Sequence, residues 1–158
     1  MKILGKYAVF FNAFATTTAA KSAVGLHANG TGEWFEIVEA LMTGSGSAAA
    51  ADRQHRAQLV KCTYGAAGTG TVTTAEPLDD FSNAGRVLAT IEFSAEPTTV
   101  GTVFPILGGF NQRGGLRWAV PRGEGVFAFN PNTNKGVAWQ VLSDAAGEVD
   151  GHVHWWES

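Results

Sequence analysis

Short runs of alternating apolar and polar residues dominate the chain, and long helical stripes are rare. In 87–93, Val87, Ala89, Ile91 and Phe93 fall on one side and Leu88, Thr90 and Glu92 on the other. Leu59, Lys61 and Thr63 oppose Val60, Cys62 and Tyr64 in the same way. A period of two places alternate side chains on opposite faces of a pleated strand. The pattern predicts strands at 6–15, 33–42, 55–64, 86–94, 100–107, 115–120, 125–129, 136–142 and 151–157, each bounded by Gly, Pro, Asn or Asp. Pro105 interrupts one of these runs and marks it as an edge strand or bulge. The one helix-friendly stretch, SAAAADRQHRAQLV, follows Gly/Ser-rich sequence and lacks an apolar stripe, so it predicts at most a single turn near 47–53.

Eight or nine short strands without a strand–helix–strand rhythm specify an all-β chain, an antiparallel sandwich or jelly roll. The 158 residues fit one domain, 1–158, with the apolar 1–15 as a terminal strand or an arm for inter-subunit contacts. The opening MKILGKYAVFFNAFATTTAA has the basic-then-apolar order of a leader, but Gly5 and Asn12 interrupt it and the same positions read as a strand.

Composition narrows the functional classes. Charged residues make up 16% of the chain, below the roughly 25% of ordinary soluble domains, which suggests a surface partly covered by a partner. With a net charge of −3 and scattered basic residues, there is no footprint for nucleic acid. No apolar run is long enough to span a bilayer as a helix. The single Cys62 forms no internal disulfide and sits in a predicted strand, where a small buried thiol is ordinary.

Several chemical signatures can be tested. GAAGTGTVTTAEPLDD (65–80) places Gly65, Gly68 and Gly70 close together, but no Lys follows and the threonines oppose a helix, so it is not a phosphate loop. It reads instead as a surface loop whose Thr71 and Thr73 reach a neighbouring subunit. Asp79 and Asp80 provide too few donors to define a calcium site. No G-x-S-x-G elbow is present. In the closing GHVHWWE, His152 and His154 point the same way on a strand and are the candidate metal ligands. The stretch resembles the first metal motif of cupins, yet Glu157 falls on the opposite face, and no spacing rule makes His27 or His55 the third ligand. The balance favours two histidines on a polar strand face, with no cofactor. Consecutive Trp155 and Trp156 cannot both face the core, so one is a ligand platform or an interface anchor.

The segment FEIVEALMTGSGSAAAADRQHRAQLVKCTYGAAGTGTVTTAEPLDD, followed by VLATIEFSAEPTT, GFNQRGGLRWAVPRGEGVFAFN and a closing strand ending in aromatic-Glu, resembles a family of small tailed-phage virion proteins. The resemblance covers about 33–157. It implies a non-enzymatic β-sandwich cement or decoration protein on the outer capsid surface. Its partners would be the major capsid protein and itself, as a homotrimer. Phe10, Phe11, Phe14, Thr71, Thr73, Trp155 and Trp156 are the interface candidates, and strand 6–15 is the candidate for strand addition between subunits. Two alternatives remain: a tail-associated receptor- or carbohydrate-binding module using Trp118, Trp155 or Trp156, and a cupin-like metal-dependent enzyme.

Overall fold

A computed structural model describes residues 5–28, 34–45, 52–63, 69–78, 85–100, 106–129 and 135–157. These form thirteen strands: β1 (Gly5–Thr16), β2 (Lys21–Ala28), β3 (Trp34–Gly44), β4 (Gln54–Thr63), β5 (Thr69–Thr73), β6 (Glu76–Pro77), β7 (Val87–Ala95), β8 (Thr98–Thr99), β9 (Ile106–Asn111), β10 (Gly115–Ala119), β11 (Val126–Phe129), β12 (Lys135–Ser143) and β13 (Gly147–Glu157). Among the described residues no helix is long and apolar enough to cross a membrane.

Two antiparallel sheets pack face to face. The first runs β10-β3-β13-β1-β6, with β11 continuing β10 along the edge of β3; the second runs β5-β7-β2-β12-β4-β8, with β9 beside β8 along β4. With β5 and β7 taken as an addition to the edge at β2, and the short β6, β8 and β11 set aside, the orders β1-β13-β3-β10 and β2-β12-β4-β9 remain, which is the interleaving of a jelly roll. The chain is therefore an all-β antiparallel sandwich of jelly-roll type, as the alternation predicts.

Tyr7, Val9, Phe35, Ile37, Met42, Val153 and Trp155 from the first sheet meet Leu26, Leu59, Ala89, Trp139 and Val141 from the second. Tyr7 and Trp155 stack at 6.1 Å between ring centres. Trp139 donates its Nε1–H to the Leu41 carbonyl across the sandwich at 3.3 Å, so the largest core side chain also satisfies its polar atom.

Several strands depart from the sequence expectation. β2 has no counterpart among the predicted strands, and β5 lies within the stretch that reads as a surface loop. Of the edge strand expected at 100–107, Ile106 and Leu107 lie in β9, while 101–105 lie outside the described residues, as do Gly65, Gly68, Asp79, Asp80 and most of the predicted turn at 47–53. The 87–93 alternation fails at its end. Glu92 has φ 51° at a slip in the β5–β7 register, and beyond it Phe93 packs on Val60, Cys62 and Ala138, away from the main core. Thr69 pairs with Ala95 but Thr71 with Ile91, so the strand is irregular here, and the left-handed residue turns the chain so that those beyond it change face. From there the chain crosses the outside of the second sheet to β8: Glu96 Oε2 accepts from Ser22 N at 2.8 Å and Val100 N donates to the Lys61 carbonyl. Over that face a buried amide ladder runs from Gln58 Nε2 to Gln140 Oε1 and from Gln140 Nε2 to Ser22 Oγ, both 3.1 Å.

From Gly5 onward the N-terminal segment is an integral strand. β1 pairs with β13 from Gly5 to Thr16, while β6 joins its other edge at Tyr7 and Ala8.

Candidate functional site

The outer face of the first sheet gathers the polar side chains that the core excludes. On β13, Val153 and Trp155 point inward, so His152 and His154 point outward together, as the period of two requires. Their rings stack at 4.3 Å with 15° between planes. Phe10, opposite His152 on β1, lies edge-on to both rings at 5.7 and 6.2 Å.

The third member comes from β3. Glu39 pairs with His154 and places Oε2 3.2 Å from His154 Nδ1 and Oε1 3.4 Å from His152 Nε2. Arg117 of β10 donates from Nε to Glu39 Oε1 at 2.9 Å. The ligand atoms of Glu39, His152 and His154 all fall within 4.8 Å of one another. All three side chains are largely buried, with 15–18% of their surface exposed.

Electrostatics differ among the three. Burial pushes the Glu39 carboxyl up, but hydrogen bonds from Arg117 and His152 and the nearby positive charges outweigh it and hold the group below its usual range. Burial and the neighbouring His152 hold His154 below its usual value, against the pull of Glu39. The contact of His154 Nδ1 with Glu39 is close enough for an ion pair but out of line for a hydrogen bond, and both ring nitrogens are buried without a hydrogen-bond partner.

The sequence singled out the two histidines but missed Glu39. His27 and His55, the remaining imidazoles, both lie in the second sheet. His55 is buried there, with Nδ1 2.5 Å from Ser143 Oγ. Glu157 faces inward as expected. Its carboxylate accepts from Arg86 N at 2.7 Å, Val87 N at 3.1 Å and Trp155 Nε1 at 2.9 Å, tying the end of β13 to the start of β7.

The other named residues separate by exposure. Phe10 is 55% exposed and Thr71 is exposed, while Thr73, Phe14 and Trp156 are partly covered. Trp155 has no exposed surface and Phe11 is buried, so neither offers an interface anchor. Phe11 alternates with exposed Phe10, and Trp155 is the inward member of the tryptophan pair. Outward Trp156 carries the Arg122 guanidinium 5.2 Å above its ring. Trp118 packs its side chain against the core. A separate hollow of about 550 Å³ is lined by Phe10–Ala15 and by residues of β2 and β7.

No protein-family model matches this chain, and no curated protein matches it in sequence.

Proposed function

We propose that the chain is a structural virion protein, a capsid cement or decoration protein that binds the major capsid protein on the outer surface of a tailed-phage shell. One observation carries the reading. The edge strands of the second sheet hold no charged residue: TGTVT in β5 on one side, TT in β8 and ILGGFN in β9 on the other. Exposed edges normally carry charge or proline to block pairing with other chains. Here they display aliphatic side chains instead, with Val72 58% and Leu107 46% exposed and Val100, just past β8, 50% exposed. Such edges suit a protein whose working state is an assembly.

The role is mechanical and requires no catalysis. A jelly roll closed by long-range pairing gives a rigid body, and several modest contacts repeated over a lattice add through effective concentration. A homotrimer at three-fold positions would engage three shell subunits at once. The tail-module alternative loses support because Trp155 is interior, Trp118 packs on the core and Trp156 lies beneath Arg122.

Copy number on purified virions, counted by quantitative mass spectrometry, tests the proposal together with binding to expanded, undecorated shells. Many copies per particle and saturable shell binding are expected. Recovery only with tails, or never with particles, would overturn it.

A further inference from the structure

The outer face of the first sheet carries a feature that a docking scaffold does not require. We propose that Glu39, His152 and His154 form a binding site for one divalent transition-metal ion, with zinc the best fit. The inference stands independently of the capsid reading.

Three observations support it. First, the donor set is two imidazoles and one carboxylate, a combination zinc accepts with a fourth position left to water. Second, the spacing fits. Donors about 2.0–2.1 Å from a tetrahedral ion lie about 3.3 Å from each other; Glu39 Oε2 to His154 Nδ1 is 3.2 Å, and the ligand atoms of all three residues lie within 4.8 Å of one another. Third, His154 is incomplete without a ligand. Its Nδ1 is buried and, 3.2 Å from Glu39 Oε2, makes an ion-pair contact without a hydrogen bond, and a buried polar atom in that condition calls for an ion or water.

The neighbours fit the same role. Arg117 bonds to Glu39 Oε1, which orients the carboxylate and leaves Oε2 for the ion, the part played by outer-shell partners at known metal sites. Its own side chain is 65% exposed, so its charge is well solvated. Parallel rings must turn about χ2 before their lone pairs converge on one point. Phe10, edge-on to both and more than half exposed, is the neighbour that yields.

The test titrates metal-free full-length chain with Zn²⁺ by calorimetry and with Co²⁺ by visible absorption. One equivalent should bind, with the intense absorption of four-coordinate Co²⁺. His152→Ala and Glu39→Gln should each weaken binding more than the roughly 10–100-fold expected from losing an outer-shell partner. Arg117→Gln should keep the stoichiometry, and His27→Gln should bind as wild type. Circular dichroism checks that each variant is folded; if Glu39→Gln is not, His152→Gln takes its place. Absence of saturable one-equivalent binding, or undiminished binding in folded His152→Ala, would overturn the assignment.

Discussion

Removing the Glu157 carboxylate should be among the most damaging single changes on the closing strand. The side chain is 2% exposed and accepts from three N–H groups: Arg86 N, Val87 N and Trp155 Nε1. Glu157→Ala leaves all three donors without that acceptor. Arg86 is a surface residue whose amide can turn to water, whereas Val87 N and Trp155 Nε1 are buried. A buried donor stripped of its partner costs about 1–3 kcal/mol, so two such donors plus lost packing give about 3–5 kcal/mol. Glu157→Gln separates the hydrogen bonds from the bulk. With its oxygen at the Oε1 position it still serves Val87 N and Trp155 Nε1 and loses only the bond to Arg86, at about 1–2 kcal/mol. Urea denaturation followed by tryptophan fluorescence reads both, and for a domain of this length each kcal/mol moves Tm by about 2–4 °C. If Glu157→Ala and Glu157→Gln fall within about 0.5 kcal/mol of each other, the inter-sheet tie is not what holds the end of β13.

Other expectations rest on backbone, packing and charge. Ala13 has φ 51°, in the left-handed region that costs a side chain about 1 kcal/mol, so Ala13→Gly should raise the unfolding free energy by a comparable amount, read as a higher urea midpoint. Gly151→Ala should destabilise by several kcal/mol, because its methyl would meet the Leu41 carbonyl oxygen and come within 2.5 Å of Phe11 Cζ in a filled core; a native-like melting curve would refute this. Burial, helped by Arg53 and opposed by Asp144, holds His55 below its ordinary value of 6.5. The unfolded chain therefore binds the extra proton first, and stability should fall as pH drops below about 6.5, by at most about 1.4 kcal/mol per pH unit until the folded group also protonates. Urea midpoints between pH 7 and 5 should show a shallower slope in His55→Gln. Buried Cys62 should resist thiol reagents in the native protein and react fully in denaturant.

Legibility tracks burial on two faces. Where inward residues alternate with more exposed ones, as in β10 and the end of β13, the period of two marks the strand in sequence. β2 escapes because KSAVGLHA is rich in small residues and has Gly25 at its centre, so its alternation is faint. β5 escapes because TGTVT has turn composition and becomes a strand only by pairing with β7 at the sheet edge. Phe93 reads onto the wrong face because the left-handed turn of the backbone at Glu92, where the ladder slips, is a tertiary event that propensity does not record.

The candidate site divides along the same line. Two imidazoles at i and i+2 are visible in any strand, but their acidic partner is 113 residues from His152 and depends on register. On a regular β3, Glu39 would share a face with Phe35 and Ile37, inside the sandwich. The β3–β13 ladder instead slips between His154 and Trp155, which pair with Glu39 and Ile37 and leave Val38 as the extra residue. Past the slip, Ala40 and Met42 take over the inward positions and Glu39 turns out towards the histidines. A one-residue change of phase thus decides whether this carboxylate is an uncompensated charge in an apolar core or the third donor of a polar cluster. Arg117, His152 and His154 become neighbours of one carboxylate because of that bulge, so the site is written in the pairing of two strands rather than in a motif of either.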